Sequence, residues 1–338
     1  MLQRTDIEKR EYQILAPKAT KSAETKGRAR EEEKSGLRTD FQRDRDRIIH
    51  SKAFRRLMHK TQVFLSPEGD HFRTRLTHTL EVSQIARTVA RSLKLNEDLT
   101  EAIALGHDLG HTPFGHNGEA VLDRVHDGGF KHNLQSLRVV DVLEMHGDMR
   151  GMNLTSEVRD GILNHTGPVI PFTLEGQVVR ICDRVAYINH DIDDAVRSGV
   201  ISNDDLPEEC VKALGNTHSE RISTLVNDLI VNSDGKAMIM MSGHAEEQMN
   251  DLRSYMFSNV YNNKKVKKDE DLDKVSNIVE SLYYYYLDDP KRLPPVFSDL
   301  MAEYDVAEIV KDHVAGMTDR YAMNAYTDIF VPKAWKIL

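Results

Sequence analysis

The sequence predicts an all-α protein, a helical bundle carrying additional helices toward its C-terminal end. Three observations support that class: apolar residues recur three and four apart from about Phe41 onward, no alternating strands separated by hairpin turns occur, and the breaks fall on proline and glycine clusters. At 338 residues, 40% hydrophobic and 29% charged, the chain suffices for one large domain or two medium ones. The longest apolar cluster, around Met238 to Met241, falls far short of the roughly 20 residues that span a bilayer. The first 35 residues have no apolar signal region, so the expectation is a cytoplasmic protein without a membrane. Cys182 and Cys210 cannot build a disulfide framework, and neither is expected as a nucleophile.

Taken in order, residues 1–35 form a polar arm with runs such as Lys26-Gly27-Arg28-Ala29-Arg30 before Glu31, Glu32 and Glu33; it should be solvated, or ordered only against a partner subunit. Residues 1–60 hold 17 Lys and Arg against 10 Asp and Glu, whereas the rest hold 28 against 44. An acidic body argues against broad binding to nucleic acid, while the basic head leaves room for an anionic ligand. Ile48, Ala53, Phe54, Leu57 and Met58 make one apolar face, ended by the loop signal Pro67-Glu68-Gly69-Asp70. Helices are then expected over Thr77–Leu93, Asn96–Leu109, Glu119–Val125, Ser136–Met145 and, after a Pro168–Pro171 loop, Leu174–Val200. This gives a core over residues 36–200. A C-terminal region, 201–338, packs on it with helices over Cys210–Leu214, Ile222–Ile230, Glu246–Asn259, Val275–Tyr286 and Val306–Phe330. Lys264, Lys265, Lys267 and Lys268 read as a solvated loop, and Tyr283 to Tyr286, pointing all round a helix, as core or subunit interface.

Histidine and aspartate inside these helices carry the chemistry. Val82, Ile85 and Val89 form an apolar stripe that, extended back one turn, reaches His78. Leu99 and Ile103 lead to His107 in the same way, with Asp108 beside it, and Asp183 sits among Val178, Ile181, Cys182 and Val185. A carboxylate in such surroundings costs several kcal/mol unless something positive meets it. Two imidazoles and two carboxylates from three helices are a mixed nitrogen and oxygen set suited to Mn, Fe, Ni, Zn or Mg as a divalent ion.

These residues resemble the metal signature of the HD superfamily. The text around them, His107-Asp108-Leu109-Gly110-His111-Thr112-Pro113-Phe114-Gly115-His116 with Phe54-Arg55-Arg56-Leu57, Arg73-Thr74-Arg75-Leu76-Thr77-His78, Phe130-Lys131-His132-Asn133 and Asp183-Arg184-Val185-Ala186-Tyr187, is similar to the deoxyguanosine triphosphate triphosphohydrolase-like family. The match is strong over about residues 36–200 and weaker beyond. The resemblance implies an HD-domain fold and metal-dependent hydrolysis of a dNTP to deoxynucleoside and inorganic triphosphate, with His78, His107, Asp108 and Asp183 as metal ligands. It implies His116 and Glu119 as a proton-transfer dyad with His132 as a further member. Arg75, His111 and Arg184 are implied as phosphate clamps, Gln62 and Asp191 as partners of the sugar 3′-hydroxyl, and Tyr187 as the ring under the deoxyribose. Arg184 stands where some relatives carry Lys. A dNTP effector and a homo-oligomer are further expectations. The alternative is another HD phosphohydrolase acting on a nucleoside monophosphate, a cyclic nucleotide or a guanosine alarmone; a regulatory module that binds the dNTP without turnover is a third.

Overall fold

The computed structural model describes residues 1–62, 73–261 and 269–333. The Pro67 to Asp70 loop and the Lys264 to Lys268 run lie outside the described residues. The class is all-α; among the described residues the strands are a single hairpin, β1 (Met145–His146) with β2 (Met149–Arg150).

The helices that position the site begin with α1 (Arg4–Ile14), α2 (Asp40–Ile49) and α3 (Lys52–Arg56). After them come α4 (Arg75–Ser92), α5 (Glu97–Gly106), α6 (Gly115–Val125), α7 (His132–Arg138), α8 (Ser156–Asn164) and α9 (Leu174–Arg197). Side-chain caps start the central ones: Thr74 accepts from Thr77 N, Asn96 from Leu99 N and Thr173 from Gly176 N. Helix α5 lies at the centre, packed by α2, α4, α8 and α9. Its Leu99 and Ile103 are fully buried, each contributing about 2 kcal/mol relative to exposure. Close approach of α5 and α8 depends on two glycines. A Cβ at Gly106 would fall 2.6 Å from Ile162, and one at Gly161 would fall 2.6 Å from Ile103.

The region assigned to a polar arm is ordered against its own chain, which corrects the expectation of a solvated segment. Glu11 accepts from Ser22 N and Oγ at 2.6 and 2.7 Å, and Glu175 accepts from Thr20 N and Oγ1 at 3.0 and 2.9 Å. Lys21 caps the carbonyls of Ala16, Pro17 and Ala19, while Arg28 reaches the fully buried Asp44. Polar pins, rather than apolar area, hold this segment down.

The later helices are α10 (Glu208–Leu214), α11 (His218–Ser233), α12 (Gly243–Met256), α13 (Asp269–Asp288), α14 (Val306–Ala315) and α15 (Asp319–Phe330). The expected Val306–Phe330 helix is thus two, divided where Thr318 caps α15. The Ser136–Met145 helix instead starts at His132 and gives way after Arg138 to a π-turn and the hairpin. One apolar core runs from Ala19 through α12 to Val260, so it does not end at residue 200. A second joins Phe114, Leu122 and Phe130 to Val279, Tyr283, Ile309 and Ala322. Within the tyrosine run, Tyr283 and Tyr286 belong to that core and Tyr284 is exposed.

Candidate active site

His78 from α4, His107 and Asp108 at the end of α5, and Asp183 from α9 converge as expected. The donor atoms of His78, His107 and Asp108 lie within 4.8 Å of one another. His78 Nε2 is 3.1 Å from Asp183 Oδ1, and His107 Nε2 is 3.7 Å from the same oxygen and 3.4 Å from Asp108 Oδ1. His107 Nδ1 lies 2.6 Å from the Ala104 carbonyl, which only accepts, so Nδ1 carries the hydrogen and Nε2 offers its lone pair inward. That Nε2 is buried and has no hydrogen-bond partner among the described residues. An orphaned imidazole lone pair facing two carboxylates fits a metal ion. Burial opposes charge on Asp183, but the hydrogen bond from His78 and the His78 charge hold its carboxyl below the usual range. His78 shifts upward for the complementary reason: burial opposes its cation, and Asp183 and Asp108 outweigh burial.

Asp108 is also where Arg75 and His111 meet. Arg75 Nη1 is 3.0 Å from Asp108 Oδ2, and His111 Nε2 is 3.2 Å from Oδ1. Arg75 is 1% exposed, and its Nε and Nη2 have no hydrogen-bond partner among the described residues. Two guanidinium nitrogens, with three N–H bonds between them, thus remain available to an anion. Burial and the Arg75 charge push the His111 pKa well below its usual value.

Glu119 on α6 holds two imidazoles at once. His116 Nδ1 is 3.1 Å from Glu119 Oε2, and His132 Nδ1 is 2.9 Å from Oε1, while His132 stacks on His111 with centroids 4.1 Å apart. Burial alone would raise the Glu119 carboxyl; hydrogen bonds from His116 and His132 carry it far below the carboxylate range. The same contact raises His132 against burial. His116 stands at the mouth, its side chain 68% exposed. The turn before α6 is left-handed at both Phe114 (φ 62°) and Gly115 (φ 57°). For Phe114 that costs about 1–2 kcal/mol. Asp319 of α15 holds the turn, accepting from Phe114 N at 2.8 Å and from Thr61 N at 2.9 Å.

The residues expected at the sugar divide. Tyr187 and Asp191 follow Asp183 one and two turns along α9. Asp191 is buried and accepts a hydrogen bond from the Tyr261 hydroxyl; burial pushes its carboxyl up to about 7. Gln62 is buried with its amide oxygen lacking a partner among the described residues. Arg184 instead donates to Asn250 Oδ1 at 2.7 Å, rather than to the acidic cluster. Cys182 and Cys210 are buried free thiols with raised pKa values, Cys210 to about 11, so neither is a nucleophile.

Three participants were not foreseen. Tyr261 and Arg253, which lies beside the Tyr187 hydroxyl, come from the C-terminal region. His165 stands just beyond α8, its ring 5.0 Å from His107 and 5.3 Å from His132. Its sequence signal was present: Val158 and Ile162 form a stripe that the next turn extends to His165, as Leu99 and Ile103 lead to His107.

Behind the site, Leu109 and Gly110 face a cavity of about 780 Å³ lined by Arg43, Arg47, Lys52, Arg55 and Arg56 together with Phe297 and Tyr321. Glu32 pairs with Arg43 and Arg47 at 3.1 and 2.7 Å; Lys52, Arg55 and Arg56 pair with no acid among the described residues.

A fold of α-helices with paired His-Asp donors at its centre defines the class, and the comparisons agree. Residues 75–188 match the HD domain, and residues 239–328 match the phosphohydrolase-associated domain. The chain is an HD-domain hydrolase. It belongs to the deoxyguanosinetriphosphate triphosphohydrolase-like family. A protein of that name from Caldanaerobacter subterraneus subsp. tengcongensis is 59% identical, with 97% of this chain and 96% of the relative covered. Those from Desulfatibacillum aliphaticivorans and Clostridium tetani are 48% and 45% identical, covering 97% and 98% of this chain and 98% and 97% of their own lengths. No helix among the described residues is long and apolar enough to cross a membrane.

Proposed function

We propose that this chain hydrolyses deoxynucleoside triphosphates at the α-phosphorus, releasing the deoxynucleoside and intact inorganic triphosphate. The observation that carries the reading is the convergence on Asp108 of ligand donors, phosphate donors and a proton relay, with Arg75 3.0 Å and His111 3.2 Å away and Glu119 behind His111. His78, His107, Asp108 and Asp183 would hold one divalent ion of the Mn, Fe, Ni, Zn or Mg group, which when bound neutralises phosphate oxygens and acidifies a water. Arg75 presents Nε and Nη2, which have no hydrogen-bond partner among the described residues, to the phosphates, and the neutral His111 adds a hydrogen bond without repelling the guanidinium. Glu119 orients His116 through Nδ1, leaving Nε2 in an exposed position to move a proton to the departing 5′-oxygen. Tyr187, one turn from Asp183, floors the deoxyribose and leaves no space for a 2′-hydroxyl. Asp191 and Gln62, each with an oxygen that has no partner among the described residues, take the 3′-hydroxyl.

Two further parts of the reading rest on other surfaces. The arginine-lined cavity, with two aromatic rings and with Lys52, Arg55 and Arg56 in no ion pair among the described residues, has the composition to take a dNTP effector. Exposed Tyr284 and Phe330 on neighbouring helices offer apolar area to a homo-oligomer. Turnover of the four dNTPs and GTP, with products separated by chromatography, tests the activity. Triphosphate is expected from the dNTPs. Release of pyrophosphate, phosphate or a linear nucleotide would replace this reading with another HD phosphohydrolase.

A further inference from the structure

We propose that Lys60 is a positioning residue that couples the arginine-lined cavity to the phosphate pocket, its ammonium tying the His111 carbonyl to the C-terminal carbonyl of α14. The inference rests on the triphosphohydrolase and effector readings above and adds the element that connects the two surfaces.

Lys60 is 3% exposed and lies where the two chambers meet. Its Nζ donates to the His111 carbonyl and, at 2.9 Å, to that of Ala315, the last residue of α14. Lys60, Ala315 and Gly316 line the cavity, while His111 presents Nε2 to Asp108 Oδ1 at 3.2 Å on the other side. From α7, Ser136 Oγ accepts from Gly110 N at 2.9 Å and donates to the His107 carbonyl at 2.7 Å, which fixes the segment as far as Gly110. Lys60 takes hold of it one residue further on. The backbone of Lys60 is itself pinned, since its carbonyl accepts from Arg75 N at 3.2 Å and Thr61 N donates to Asp319 Oδ2 at 2.9 Å. A displacement of α14 therefore reaches His111 through one side chain with a fixed base.

Capping two carbonyls needs only N–H donors, and a neutral side chain supplies them without the cost of a buried cation. What an ammonium adds is a response to charge. Burial and Arg56 of the cavity wall push Lys60 down to about 7; Arg75 of α4 acts in the same direction, and Asp319 of α15 and Asp108 oppose it. An anion beside Arg56 cancels that repulsion, favours the charged form and strengthens both carbonyl bonds, because charge-assisted hydrogen bonds are about twice as strong as neutral ones. The sign follows: the clamp is strongest below about pH 7, weakens as the pH rises through that value, and persists to higher pH when the cavity is filled.

Initial rates of triphosphate release from dGTP, taken from low to saturating concentration between about pH 6.5 and 9.5, test the coupling. In the wild type, turnover should fall on the alkaline side, and the midpoint of that fall should move to higher pH as dGTP is raised. Lys60→Arg, which stays charged throughout, should lose the alkaline fall and keep at least about a third of the wild-type rate. Lys60→Met keeps the length and removes the donors; it should lower kcat about tenfold at every pH, with metal content unchanged and the activation by dGTP flattened. Circular dichroism reports whether Lys60→Met folds, and where it does not, the wild-type profile and Lys60→Arg decide. The same alkaline fall in Lys60→Arg as in the wild type overturns the role of Lys60, as does a folded Lys60→Met with wild-type kcat and activation. Triphosphate released with no activation by dGTP beyond simple saturation overturns the coupling alone. A wild type that releases no triphosphate overturns the activity reading and this inference with it.

Discussion

The segment from His107 to His111 separates two chambers of opposite character. On one side His107, Asp108 and His111 face a pocket in which carboxylates outnumber fixed cations and imidazole lone pairs lack partners. On the other, Leu109 and Gly110 face a cavity where Asp46, Glu144 and Asp312 are outnumbered by Arg38, Arg43, Arg47, Lys52, Arg55, Arg56 and Lys60. The first is rich in carboxylates and the second in guanidinium and ammonium groups, and backbone only five residues long joins them. A charged ligand in either chamber would therefore lie against the same short segment.

The sharpest way to break the comparison is at the cation side. Asp183→Ala or His107→Ala should remove bound metal and lower turnover by about 10³-fold or more, because each deletes a donor from a set with no replacement. Normal activity with a full metal complement, measured by plasma mass spectrometry, would end the ligand assignment. Next in size is Glu119→Gln, which keeps the shape and removes the charge that orients His116. It should lower kcat by roughly 10²-fold at unchanged metal occupancy. A rise confined to KM would make Glu119 a binding residue instead.

A smaller effect separates the two sugar contacts. Tyr187→Ala should narrow the dGTP over GTP preference in kcat/KM by roughly tenfold, whereas Asp191→Ala should weaken both substrates about equally through the shared 3′-hydroxyl. An unchanged ratio in the Tyr187 variant would move the sugar gate elsewhere. Least of all, Arg55→Ala combined with Arg56→Ala should leave metal content untouched and raise by several-fold the dNTP concentration needed for activation, read from initial rates over a nucleotide series. An identical activation curve would make the cavity cations structural.

The comparison also explains what was legible beforehand. The inward His78 and His107 continue apolar stripes and Asp183 is an acid among core residues, so helical spacing singled them out, and spacing together with the family resemblance pointed to His116 and Glu119. Helix α8 escaped because Gly161 interrupts a short pattern, although that glycine is what lets α8 approach Ile103 and bring His165 to the centre. The first 35 residues were misread because hydropathy ignores the groups that hold them: Glu11 to Ser22, Glu175 to Thr20 and Arg28 to Asp44 are polar pins. Tyr261 and Asp319 come from far along the chain, and no local pattern announces which distant carboxylate a turn will use.

Asp319 has a consequence for how the protein comes into being. The hydrogen bonds that fix the left-handed turn at Phe114 and the backbone at Thr61 span 205 and 258 residues. Such pairs pay loop closure before they return any stability, so they form late. A chain emerging from the ribosome has therefore made all four residues of the proposed metal-donor set long before it can clamp the turn carrying His116. On the proposed reading, metal capture and catalytic competence would be separated in time, and a nascent or C-terminally shortened chain would bind metal before it turned over substrate.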